Sequence, residues 1–356
     1  ADVILSPDFI ASVRSAWSWS FIAAMTSVWH LTLAICHHGR VSTRPLITSG
    51  AALVAGGLGL LGYSLWEAQA YRTRHVTLPV LPNGSQPVKV LHLSDIHLMP
   101  NDTKRTAWLR SLADLEPDLV VNTGDNISHP GAIPVLVQAL QPLLAVPGVF
   151  VFGSNDYYAP VFKNPLTYLR MGPTPIKHAE ELPWRDLEAG FTQAGWLNLN
   201  NHRETIKVGS LLIDARGVDD PHIHRDRYDD LDTEPSTADF SLGVVHAPYR
   251  RVLNAMTTDG ADVILAGHTH GGQVCLPGYG TLVTNCDLNR KYAKGLSRYR
   301  DDALPEDGWE ATEFANVDEP VAETWLNVSP GIGTSPYAPI RLACRPEAIL
   351  LTLTAR

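Results

Sequence analysis

VKVLHLSDIH, residues 88–97, decides how this chain is read. Its start is an apolar run with alternation and predicts a strand over Val88–Ser94, and its end delivers Asp95 and His97. The arrangement recurs along the chain. Leu119–Asn122 predicts a second buried strand and runs into Gly124-Asp125-Asn126. Val149–Phe152 predicts a third and runs into Gly153-Ser154-Asn155-Asp156. Phe240–Val245 ends at His246, and Val263–Ala266 ends at Gly267-His268-Thr269-His270-Gly271-Gly272. Between these runs the apolar spacing turns helical over Thr103–Leu115, Gly131–Ala145 and Tyr249–Met256, with Pro134 tolerable in a first helical turn. Strand–helix–strand repetition with near-continuous apolar strands predicts an α/β fold with a mostly parallel sheet. In open sheets of that kind, ligands gather beyond the carboxyl ends of the strands, where these polar residues stand.

One Asp at a strand end is usually a turn former or a helix cap, and one His-x-His pair is a weak sign of metal. Five strand ends that each deliver a ligand-type side chain, in a chain of only 14 histidines, are a different matter. Imidazole and carboxylate together suit borderline divalent metals such as Zn, Mn and Fe. The candidates Asp95, His97, Asp125, Asn155, His246, His268 and His270 are too many for one tetrahedral ion. They fit two ions with a shared bridge. The glycines before Asp125, Ser154 and His268 allow the backbone turns such strand exits need.

The remaining segments complete the body. Arg203–Val208 and Leu211–Arg216 flank Gly209-Ser210 and predict a hairpin; Thr324–Val328 and Ala348–Leu353 predict two late strands. Arg300–Pro320 is acidic and reads as a solvated surface loop. Leu78–Pro87 holds three prolines and Asn83-Gly84, so the reading places a linker at 76–87 and a catalytic domain at 88–356.

Composition narrows the function classes. Apolar residues make up 45% of the 356 and charged residues 18%, which excludes a disordered chain. No CxxC pair occurs among the four cysteines, which excludes a zinc ribbon and a thioredoxin-type motif. Cys286 and Cys344 would pair only if the fold brings them together. A net charge of −9 argues against nucleic acid as a partner. That charge is uneven: residues 1–74 carry +2 and the rest −11. Leu46–Trp66 carries no charged residue, and as a helix would be about 32 Å long, enough to cross a bilayer core. Residues 1–75 are therefore expected to anchor the protein to the cell membrane, through a span at 46–66 and a possible second at 16–36. Arg40 and Arg44 balance Arg72 and Arg74, so the membrane side of the catalytic domain stays open.

Asp-x-His, Gly-Asp, a Gly-Asn-type box, a lone His and Gly-His-x-His, in that order over 88–270, resemble the calcineurin-like metallophosphoesterase superfamily. Arg290-Lys291-Tyr292 before Gly295, and Val328-Ser329-Pro330-Gly331-Ile332-Gly333-Thr334-Ser335 before Pro339-Ile340-Arg341, resemble its bacterial membrane-anchored subgroup. The resemblance implies a four-layer α/β/β/α sandwich of two mixed sheets and two divalent metal ions. It implies Asp95, His97 and His270 around the first ion, Asp125 as the bridge, and Asn155, His246 and His268 around the second. Asp125, Asn155, His246 and Arg290 are the residues it assigns to catalysis.

One box departs from the pattern. The family's third box is usually Gly-Asn-His-Asp or Gly-Asn-His-Glu; here it is Gly153-Ser154-Asn155-Asp156. Ungapped, Ser154 takes the ligand slot; shifted by one, Asn155 does, as the better metal donor. Either way the family's histidine is missing. His222 and His224 are candidate replacements, against the plainer reading of loop histidines. The expected reaction is hydrolysis of a phosphodiester or pyrophosphate bond in a lipid-linked or nucleotide-type substrate by a metal-bridging hydroxide. The alternatives are a tethered cyclic-nucleotide phosphodiesterase and a metal-binding scaffold whose hydrolysis is reduced or lost.

Overall fold

The computed structural model describes residues 44–161, 179–232, 234, 236–300 and 322–356, with the side chains of α1 described from Val54. The candidate span 16–36 and the acidic stretch from 301 to 320 lie outside them. In chain order the main elements are α1 (Arg44–Glu67), β1 (Arg72–Leu81), β2 (Val88–Leu93), α2 (Thr103–Ser111), β3 (Leu119–Asn122), α3 (Ile133–Leu144), β4 (Gly148–Phe150) and the short α4 (Ser154–Tyr157). They continue with α5 (Trp184–Thr192), β5 (Leu197–Asn198), β6 (His202–Val208), β7 (Leu211–Gly217), β8 (Phe240–Val245), α6 (Arg250–Thr258) and β9 (Val263–Ala266). The last are β10 (Cys275–Leu276), β11 (Gly280–Thr281), β12 (Gly295–Arg300), β13 (Glu323–Val328) and β14 (Glu347–Ala355).

Twelve of these strands build two six-stranded sheets, ordered β1-β14-β2-β3-β4-β5 and β12-β13-β9-β8-β7-β6, and β10 and β11 form a separate antiparallel pair. The β2–β5 and β7–β8–β9–β13 neighbours pair in parallel. The antiparallel pairs are β14 with β2, β6 with β7 and β12 with β13. Side-chain alternation sets the layers. Val90, Val121, Val149 and Val151 meet Ile213, Ala215, Leu242, Val244 and Leu265 in a core between the sheets. Their chain neighbours Leu91, Leu93, Val120 and Phe150 face the other way, onto Leu109 of α2, Leu136 and Leu140 of α3 and Phe191 of α5. On the far side, Val245, Ile264, Ala266 and Leu326 pack on Val252, Leu253 and Met256 of α6. Strands buried on both faces need no polar alternation, which is why they read as apolar runs.

The linker reading is corrected at its start. Residues 72–81 form β1, paired in parallel with β14 from Arg72↔Glu347 to Leu81↔Ala355. Val76, Leu78 and Val80 alternate toward the intersheet core, and Pro79 is tolerated because β1 is the sheet's outer strand. The turn shrinks to the region of Asn83-Gly84. The stretch 46–66 is helical, inside α1, and Leu58, Leu60, Leu61, Leu65 and Trp66 are exposed on it. Among the described residues, no helix is long and apolar enough to cross a membrane. The end of α1 is docked instead of dangling. Glu67, 2% exposed, accepts the amides of Ala343 (3.0 Å) and Cys344 (2.9 Å), and the Ser64 carbonyl accepts the amide of Arg341 (3.0 Å).

Candidate metal centre

The strand exits stay registered beyond the strands. Asp95, His97 and Leu98 donate their amides to the carbonyls of Gly124, Asp125 and Asn126 at 2.9, 2.9 and 3.0 Å. Asp95, His97, Asp125, His268 and His270 all have φ between 45° and 67°. That left-handed region is sparsely populated for non-glycine residues and persists where surrounding contacts enforce it. Two glycines let the exits close in. A Cβ on Gly153 would overlap Asp125 Oδ1 and lie 2.6 Å from His246 Nε2; one on Gly267 would overlap the Ser94 hydroxyl and lie 2.7 Å from Asp95 Oδ2.

Side chains from five exits meet there. Two groups of donor atoms converge: Asp95, His97 and His270, and Asp95, Asp125 and His246. His97 Nε2 and His270 Nε2 are 3.2 Å apart, and His268 Nδ1 and His246 Nε2 are 3.3 Å apart. Asp125 reaches both sides, with Oδ2 3.5 Å from His97 Nε2 and Oδ1 3.5 Å from His246 Nε2. Backbone acceptors orient the rings. His246 Nδ1 lies 2.7 Å from the Thr123 carbonyl, and His268 Nε2 3.1 Å from that of Asn285. A carbonyl only accepts, so each of those nitrogens carries the proton, and the lone pairs of His246 Nε2 and His268 Nδ1 face one another. Facing lone pairs and carboxylates in a buried pocket repel unless a cation lies between them, so the donor set fits divalent metal.

Burial and charge agree with that fit. Burial pushes His97, His246 and His268 down to about 4, so they are neutral donors at pH 7. Burial and the neighbouring Asp125 charge push Asp95 up, to about 8. Without a cation Asp95 therefore keeps its proton at pH 7, whereas the unfolded chain has released it. This costs the cation-free fold stability as pH rises from about 4 toward 8, and cation binding removes the cost. Metal uptake at pH 7 is expected to release about one proton, with affinity rising up to about pH 8 and flattening above. Calorimetry in buffers of differing ionisation enthalpy measures this; uptake without proton release would contradict it.

The third box is held by its last residue. Asp156, fully buried, accepts the amides of Asp125 (2.8 Å), Asn126 (2.7 Å) and Gly153 (2.9 Å). Sequence reading quoted Asp156 but gave it no role. Asn155 donates its amide to Asp125 Oδ1 at 2.8 Å and Nδ2 to Oδ2 at 2.7 Å. Of the two box residues weighed as ligands, Asn155 is thus the one seen reaching Asp125.

The profile of the calcineurin-like phosphoesterase family matches residues 88–272, just over half of the chain. The chain belongs to this family. It is similar to an uncharacterized metallophosphoesterase of Bacillus subtilis, YkuE, with 25% identity over 318 residues, 86% of this chain and 93% of YkuE. An uncharacterized metallophosphoesterase of Aquifex aeolicus is 25% identical over 308 residues, 83% of this chain and 97% of its own. A bovine transmembrane protein with a metallophosphoesterase domain is 25% identical over 321 residues, 89% of this chain and 64% of its own. The protein is a metallophosphoesterase, a metal-dependent hydrolase of phosphoric esters.

Around the metallophosphoesterase site, the other sequence candidates separate. Arg290 is half-buried; its Nη1 donates to the Tyr279 hydroxyl at 2.5 Å and its guanidinium lies 4.9 Å from that ring's centroid. His224 is exposed. The His222 ring lies against His268, with centroids 4.4 Å apart. Sequence reading gave no role to Arg341. Its guanidinium is fully buried and donates to the carbonyls of Gly333 (2.7 Å), Gly331 (3.2 Å), Cys344 (3.3 Å) and His270 (3.4 Å). The tail motif 328–335 supplies two of those carbonyls and folds over the first strand exit: the Ile332 and Gly333 amides donate to the carbonyls of Ser94 and Asp95. Cys275, Cys286 and Cys344 are free and buried. Cys344 shares the Gly271 carbonyl with Cys275, at 3.5 and 3.2 Å.

Proposed function

We propose that this metallophosphoesterase holds two divalent cations and hydrolyses phosphodiester or pyrophosphate bonds of a lipid-linked or nucleotide-type substrate. The observation that carries the dinuclear reading is Asp125, whose two carboxylate oxygens lie at equal distance from one histidine of each side. Asp95, His97 and His270 would hold one cation; Asn155, His246 and His268 the other; Asp125 both. A half-turn of the Asn155 amide presents its oxygen where Nδ2 now stands. When bound, the cations supply an activated water as nucleophile and neutralise charge on the phosphoryl oxygens.

The chain's own residues do the rest. The Thr123 and Asn285 carbonyls fix the tautomers of His246 and His268, and Asp156 fixes the backbone from which Asp125 and Asn155 project. Arg290 is the proposed donor to phosphoryl oxygens, since Asn155 is taken up by Asp125 and the second cation position. A third box without imidazole favours substrates whose leaving groups depart without a proton, since general acid help is typically worth about 10²–10⁴-fold. The exposed apolar side chains of α1, together with the uncharged run 46–66, support membrane attachment at that helix.

The test is elemental analysis of the purified protein, with turnover measured in Mn, Zn, Fe and Mg. The substrates are bis(p-nitrophenyl) phosphate, an alkyl phosphodiester, cyclic nucleotides and a lipid extract. Two metal equivalents and a strong preference for the activated diester are expected. Bound metal without turnover of any of these would favour the scaffold reading. Turnover confined to cyclic nucleotides would displace the lipid-linked one.

A further inference from the structure

We propose that His222 is a substrate-contacting residue, an N–H donor to a phosphoryl oxygen of the ester at the second cation position. The proposal rests on the hydrolase reading and deepens it. The convergent side chains are dominated by acceptors. Asp95 and Asp125 are carboxylates, the His246 and His268 nitrogens that face each other are lone pairs, and Asn155 is committed to Asp125. A phosphate ester also brings acceptors only along its non-bridging oxygens, so the site needs donors at its rim.

His222 stands at that rim. Its ring packs at 46° on His268, and His268 packs in turn on His246 with centroids 5.2 Å apart. It lies outside both convergent donor groups, which suits a substrate contact better than a metal ligand. It is half-buried, and its Nδ1 is 3.0 Å from the Tyr249 hydroxyl.

The loop that presents it is rigidly held. The His222 amide donates to Asp220 Oδ1 at 2.8 Å, and Asp220 is fully buried. Arg251 donates to the Pro221 carbonyl at 3.0 Å from α6. Tyr157, two positions after Asn155, donates to Asp219 Oδ1 at 2.8 Å, and Arg225 ties Asp219 from the other side at 2.8 Å. The third box and the loop after β7 are therefore braced against each other across the two sheets. That bracing ties the loop that carries the His222 imidazole to a box whose own residues supply none.

The experiment compares His222→Ala, His222→Gln and the exposed-position control His224→Ala with wild type, all as full-length manganese-loaded protein in detergent. Readouts are metal content, kcat and KM on bis(p-nitrophenyl) phosphate, and binding of inorganic phosphate by calorimetry. His222→Ala is expected to keep its metal, bind phosphate about 10-fold or more weaker and lose kcat/KM by a similar factor. His222→Gln, which keeps an N–H donor, should recover part of both. Unchanged phosphate binding in His222→Ala overturns the proposal. Loss of metal in that variant also overturns it, because His222 would then act by holding His268. Should wild type bind metal without turnover, the hydrolase reading fails, while the phosphate titration still decides whether His222 contacts a phosphoryl group.

Discussion

Replacing Asp125 by Asn is expected to reduce hydrolysis by at least ~10³-fold and to cost the protein metal while leaving the fold intact. The carboxylate touches His97, His246 and both nitrogens of Asn155. An amide in its place carries no charge and aims two N–H groups into a cluster organised to receive cations. In the proposed dinuclear site both cation positions would lose their shared anionic donor at once, so the damage should exceed that of losing any single histidine. The backbone should survive, because the Asp125 amide and carbonyl, which bond Asp156 and His97, are unchanged. Elemental analysis, circular dichroism and turnover together check this. A variant retaining full metal and more than about a tenth of the activity would exclude Asp125 as the bridge.

Arg341→Met is expected to be the most damaging change away from the donor atoms. Its guanidinium bonds four carbonyls, and removing it leaves several buried acceptors bare. One such loss costs about 1–3 kcal/mol, so the variant should be destabilised by several kcal/mol even though methionine fills part of the volume. The effect should reach the site, because two of the four acceptors are the His270 carbonyl and the Gly331 carbonyl, and a Cβ on Gly331 would sit 2.7 Å from Asp95 Cβ. Arg341 also places the turn whose amides at Ala343 and Cys344 bond Glu67. A lower thermal midpoint with weaker metal retention is the expected pair of results. A midpoint within about 2 °C of wild type would show that the carbonyls find other partners.

Much of the body was legible locally. β3, β8 and β9 coincide with the apolar runs, and the hairpin β6–β7 turns at Gly209-Ser210. Strands buried on both faces announce themselves by composition alone. β1 was misread because Pro79 and the neighbouring turn residues outweighed its Val76, Leu78 and Val80 alternation. The pairing that makes those residues a strand is with β14, at the opposite end of the chain. α5 and β12 lacked any motif to draw attention to them and went unread. Asp156 and Arg341 stood inside quoted motifs, but a motif gives residue types and order; it does not say which side chain reaches which carbonyl.

The sequence by itself determined the class of chemistry, because ligand-type residues at successive strand ends are set by local pattern and strand direction. It could not foresee that both Asn155 N–H donors would reach Asp125, that Cys344 would neighbour Cys275, or that Glu67 would join Ala343 across 276 positions. Those depend on where separate chain segments lie once packed, and on which buried polar groups are left to satisfy one another. Such pairings carry no periodicity along the chain, so only the tertiary structure decided them.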